Sequence, residues 1–207
     1  YLRGSSVTVQ GTVTNMTGTD TMEIDISDGN GFVSTGTFNG TDWTHTFDSS
    51  IYGADGLQTM TIRARDDTTF AWDEEMIDYY IDNTLPTGSI MSPISGSSVA
   101  ENSNIIMTGS AGDLMKLSSV VLDIDSGALT PDVTPVAGSE YWTYTWDTTG
   151  FTGDVDVFLT VTDEAGNVFT SPVSTLTISN ESPYGSITQP VQGSVVGGII
   201  TIAGQAV

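Results

Sequence analysis

Pro86-Thr87-Gly88-Ser89-Ile90-Met91-Ser92-Pro93-Ile94-Ser95-Gly96-Ser97 and Pro183-Tyr184-Gly185-Ser186-Ile187-Thr188-Gln189-Pro190-Val191-Gln192-Gly193-Ser194 are one stretch written twice in a 207-residue chain. Each copy runs into an apolar segment that ends in glycine, Gly109 and Gly204, and Val7-Thr8-Val9-Gln10-Gly11 is that second segment alone. The match continues downstream. Met22–Gly29 aligns with Val120–Gly127, Trp43–Asp48 with Trp142–Asp147, and Thr61–Asp66 with Phe158–Asp163, at offsets of 97 to 99. A period of nearly one hundred residues is one small domain per copy, so the chain reads as a tandem array. The expected units are 1–85, lacking its opening strand; 86–182, complete; and 183–207, the first two strands of a third.

Within each unit the apolar residues alternate with period two. Trp142, Tyr144 and Trp146 share one face and Thr143 and Thr145 the other; Ile62 and Ala64 face opposite Arg63 and Arg65. Asp28-Gly29-Asn30-Gly31, Ala54-Asp55-Gly56 and Ala165-Gly166-Asn167 punctuate the runs as turns. Short strands at regular spacing predict an all-β fold of antiparallel sandwiches, about seven strands each with Greek-key connections.

Four Lys and Arg stand against 26 Asp and Glu, a net charge of −22. Phosphate binding needs clustered cations, so nucleic acid is not a partner. No run of eighteen apolar residues is present, so this segment is not expected to insert into a membrane. The chain has no cysteine, which removes disulfides, thiolate ligands and cysteine nucleophiles. Self-repulsion of this size calls for screening or bound cations.

The linker Ile81-Asp82-Asn83-Thr84-Leu85-Pro86, the Trp142–Asp147 strand and Val161-Thr162-Asp163-Glu164-Ala165-Gly166-Asn167 resemble the tandem Ig-like domains of large bacterial and archaeal surface proteins. The resemblance implies Ig-like sandwiches in an extracellular structural role: part of an S-layer, sheath, filament or stalk, with other copies or neighbouring surface proteins as partners. It also implies calcium at the junctions. Asp66, Asp82 and Asn83 with Asp113 are the candidate ligands at the first junction, and Asp163, Asn180 and Glu181 at the second, because a hard cation needs several converging oxygens. The competing reading of Asp163 and Asn167 is a turn shaped by Asx hydrogen bonds.

The lone histidine, His45, has no nucleophile paired with it by any spacing rule, and no two carboxylates stand out, so no enzyme is expected. Trp72, in a Asp67–Met76 insertion read as an exposed loop, either contacts a partner or folds back onto its own sandwich. Asn15, Asn39 and Asn180 head glycosylation sequons. Two further functions stay open: an adhesin or carbohydrate-binding module, for which Trp72, Tyr79, Tyr80 and Tyr141 would cluster, and spacer domains of a large secreted hydrolase.

Overall fold

The computed structural model describes residues 1–15, 21–34, 37–38, 41–52, 55–129, 132–136, 139–180 and 185–206. Asn39 and Glu181, named above as a glycosylation and a metal candidate, lie outside these residues.

The first repeat holds β1 (Val7–Thr12), β2 (Thr21–Asp25), β3 (Val33–Ser34), β4 (Thr37–Phe38), β5 (Asp42–Phe47), β6 (Gly56–Asp66) and β7 (Ala71–Ile81). They form two sheets, β1-β5-β4 and β3-β2-β6-β7. The second repeat holds β8 (Thr87–Ser92), β9 (Ser98–Ala100), β10 (Asn104–Gly112), β11 (Leu117–Ile124), β12 (Gly127–Leu129), β13 (Asp132–Val136), β14 (Ser139–Asp147), β15 (Gly153–Asp163), β16 (Val168–Thr170) and β17 (Ser174–Ser179). Its sheets are β13-β14-β10-β8 and β12-β11-β15-β17-β9, with β16 also on β15. A separate ribbon, β18 (Gly185–Gln189) with β19 (Ala203–Ala206), opens the third repeat.

The alternation predicted from sequence sets the burial. Trp142, Trp146, Leu122, Leu159 and Leu176 meet in the core of the second repeat, and Trp43, Phe47, Ile24, Met60 and Ile62 in that of the first. One detail departs from an all-antiparallel sandwich. The opening stretch is split: β8 pairs antiparallel with β10, and after the turn at Gly96 β9 pairs parallel with β17 in the other sheet. Leu2 makes the same parallel bridge to Ile81 in the first repeat.

Glycine is required where β8 meets β10. A Cβ on Gly109 would lie 2.0 Å from the Ser89 carbonyl oxygen and 2.3 Å from the Trp142 ring. Gly204 repeats this against the Ser186 carbonyl at 2.5 Å.

The Asp67–Met76 segment is not an exposed loop, as its sequence suggested. The turn ends at Phe70 and β7 continues the β6 hairpin in register from Ala71 opposite Asp66 to Ile81 opposite Gly56. Its outward side chains find partners across the ribbon: Trp72 lies 4.1 Å from the Arg63 guanidinium and 5.3 Å from that of Arg65.

Candidate metal centre

The junction between the repeats is built on Asp82. β7 ends at Ile81, which is fully buried, and the Asp82 amide donates to the Leu2 carbonyl of the first repeat at 3.1 Å. Its own carbonyl accepts from Asn167 Nδ2 of the second repeat at 3.0 Å. The following residues are clamped by Asp55, whose carboxylate accepts from the amides of Asn83 at 2.8 Å and Thr84 at 3.0 Å. Ser49 donates to Asn83 Oδ1 at 2.7 Å. The linker is thus tied down before it reaches Pro86.

The second repeat meets it with two acids. Asp163 ends β15 and turns the chain: its Oδ1 accepts from the Asn167 amide at 2.8 Å and its Oδ2 from Asn167 Nδ2 at 2.7 Å. Gly166 takes φ +87, the left-handed region glycine favours. Asp113 follows β10, and its Oδ2 accepts from the Met115 amide at 2.7 Å. The Asx-turn reading of Asp163 therefore describes its local bonds, yet those bonds also fix where the carboxylate sits.

Asp82, Asp113 and Asp163 each place a carboxylate oxygen so that the three atoms lie within 4.8 Å of one another. Asp82 and Asp163 are buried, at 0% and 1% exposure. Asp82 Oδ2 and Asp113 Oδ1 are buried with no hydrogen-bond partner among the described residues. Ion pairs of the described residues are Arg63–Glu23, Arg65–Asp67 and Lys116–Glu164, so none neutralises this cluster. Loss of hydration, then the charges of Asp113 and Asp163, push the Asp82 carboxyl up to about 6. Converging hard oxygens with unsatisfied lone pairs and excess negative charge suit a hard divalent cation such as calcium. Three protein carboxylates leave its remaining positions to carbonyls or water.

The other candidates lie elsewhere. Asp66 and Asp82 sit at opposite ends of the β6–β7 ribbon, about 30 Å apart at ~3.3 Å per residue, because the hairpin is antiparallel. Asp66 instead accepts from the amides of Thr68 and Thr69 and from the Thr69 hydroxyl. Asn83 points into the Ser49 contact. Asn180 is exposed at the far end of the second repeat, as is Asn15 at the far end of the first. His45 packs 6.4 Å from Phe47 (centroid to centroid), and burial pushes its pKa down. Trp72, Tyr79, Tyr80 and Tyr141 do not gather on one face: Trp72 and Tyr80 lie on one side of β7, Tyr79 points the other way to Tyr52 and the Ile26 carbonyl, and Tyr141 belongs to β14. Sequence spacing had no means of finding Asn167 and Asp55 as the residues that fix the junction, since their partners lie 85 and 28 positions away.

Residues 86–161 match a family of bacterial Ig domains. Among solved structures, the fibronectin(III)-like modules of CbhA from Clostridium thermocellum are similar over 86% of this chain and 86% of theirs, at 18% identity and a TM-score of 0.50. An endo-beta-1,4-mannanase from Thermotoga petrophila is similar over 48% of this chain and 21% of its own, at 16% identity and TM-score 0.40. Tandem Ig domains of titin align over 86% of this chain and 90% of theirs, at 8% identity and TM-score 0.33. No curated protein matches the chain.

Proposed function

We propose that this tandem of Ig-like domains, whose second repeat matches the bacterial Ig family, is a tension-bearing or spacing segment of an extracellular surface assembly, stiffened at its junction by calcium. The observation that carries the reading is the junction. One side chain, Asn167, bonds both Asp82 of the linker and Asp163 of the second repeat, beside three carboxylates with two unpartnered oxygens. A cation there draws charge from both repeats into one shell, so its binding energy becomes the stiffness of the joint. A stalk, sheath, filament or lattice subunit requires fixed angles between successive domains. A spacer beside a catalytic domain would use the same mechanics.

Small-angle scattering of the 207-residue chain with calcium, then with chelator, tests the reading. The expected result is a fixed extended particle in calcium that samples bent forms after chelation, with Asp82→Asn behaving as if chelated in both. A profile unchanged by calcium and by that substitution removes the cation from the function. Electron microscopy of native material then distinguishes lattice or filament from isolated rods.

A further inference from the structure

The two sheets of the second repeat turn unlike faces to solvent. Asp123 on β11 and Asp154 and Asp156 on β15 point outward, the last two accepting from the Thr177 and Thr175 hydroxyls of β17. The other sheet is uncharged across its middle. Ile106, Thr108 and Ser110 of β10 point outward beside Thr145, Thr143 and Tyr141 of β14. A bulge in β8, where Ile90 pairs with Gly109 and Ser92 with Thr108, leaves Met91 over and exposed on the same sheet. Acids stand only at the border: Asp147, which accepts from the Thr149 amide and hydroxyl, and Asp132, opposite Thr143 on the outermost strand.

The first repeat shows what this face looks like when it is simply wet. β1 and β5 hold the places of β10 and β14, and there Thr8 stands for Ile106 and Asp42 for Tyr141. The Thr8 hydroxyl is satisfied by that of Thr46 at 3.0 Å. The same backbone thus accepts polar residues at these places, yet the second repeat puts exposed Ile106 and Tyr141 there and adds Met91. A lone exposed apolar side chain needs no partner, but three on one uncharged sheet mark a contact surface.

Charge selects the occupant. A basic partner would be drawn to the Asp123, Asp154 and Asp156 side, whereas two chains of net charge −22 can approach only where carboxylates are absent. We infer that the outer face of β8, β10 and β14 is a lateral self-contact, packing face to face against the same sheet of a second copy. Four strands at ~4.8 Å and about six residues at ~3.3 Å each give a face of roughly 400 Å² per copy. A stable pair needs about 800 Å² per partner, so two isolated copies hold weakly. The contact becomes effective where many copies are fixed side by side. It uses none of the junction aspartates, so it stands or falls apart from the cation.

Sedimentation equilibrium of the full chain up to millimolar concentration, with amide resonances followed in parallel, tests the inference. The expected result is a dimer with a dissociation constant of roughly 0.1–1 mM, as befits a contact below standard size. High salt should tighten it several-fold, because screening relieves the repulsion between like-charged chains. Concentration-dependent shifts should centre on β8, β10 and β14. Ile106→Thr/Tyr141→Asp, which installs the residues with which the first repeat already folds, should weaken the dimer at least tenfold at an unchanged melting temperature. Met91→Thr, matching Thr188 of the third repeat, should weaken it several-fold by itself. A monomer at millimolar chain and high salt overturns the inference, as does a dimer indifferent to both variants or loosened by salt. Shifts centred on β18 and β19 or on the acidic sheet overturn it as well.

Discussion

The two repeats share a core plan and differ at its edges. In the second, β8 closes the sandwich, and the strand after β15 is broken at Ser171-Pro172-Val173 into β16 and β17. Its Asp163–Asn167 turn folds tightly enough to become half of a junction. In the first, the corresponding hairpin runs unbroken as β6–β7, and its tip carries no Ala-Gly-Asn. One repeat unit thus yields a domain that receives a neighbour and one that offers a linker. The difference resides in turn chemistry, since both cores are built on a Trp beside a glycine of the adjoining strand, Trp43 with Gly11 and Trp142 with Gly109.

The sharpest way to break this comparison is to truncate those tryptophans. Trp142 is fully buried under β8, and Trp142→Ala should cost about 3–5 kcal/mol, with loss of the second repeat's unfolding transition. Trp43 is 6% exposed and lines a cleft with Gly11, Ile62 and Ala64, where water can enter the space left behind, so Trp43→Ala should cost less in this chain. Equal losses by denaturant titration would mean that the cleft is as dry as the closed core.

Next in size is the cation. Calcium at one hundred times its dissociation constant should stabilise the junction by about 2.7 kcal/mol, and Asp82→Asn should remove most of that. The Asp82 carboxyl rises from 3.8 to about 6 in the folded chain, so the protonated form is the one folding favours. Without metal, the stabilisation is fully present below pH 3.8 and is lost as pH rises through about 6. Calcium should therefore raise the melting temperature more at pH 7 than at pH 5. An equal effect at both would place the ion elsewhere. Asn167→Ala comes after: removing a 3%-exposed amide that bonds Asp82 and Asp163 should cost about 1–3 kcal/mol, and it should loosen the junction without unfolding either repeat.

Much of this fold was legible because period-two patterning and a 97-to-99-residue repeat are local, redundant signals. Ile62, Ala64, Leu159 and Val161 announce their face by alternation alone. The site was legible only in part. Asp82 and Asp113 follow from the linker and the strand end, but Asp66 was grouped with them because sequence proximity to the linker says nothing about which end of an antiparallel hairpin a residue occupies. The Asp67–Met76 segment looked like a loop because its Asp and Glu residues are poor strand formers. Pairing with β6, and Arg63 and Arg65 beneath Trp72, override that propensity.

The smallest effect concerns the outer lip of the junction, where Arg3 Nε donates to the Ala165 carbonyl at 3.0 Å. The contact joins the first repeat to the very turn that holds Asp163 and Asn167, so geometry alone would rank it with Asn167. It is exposed, however, and water replaces the guanidinium at the carbonyl at little cost. Arg3→Ala should change stability by no more than about 0.5 kcal/mol. Its visible consequence should be in calcium affinity, which should rise slightly, because a positive charge leaves the neighbourhood of three aspartates. A large loss of stability on Arg3→Ala would mean that the two repeats are held by their surfaces and not by the buried aspartates, and the cation would then have little left to lock.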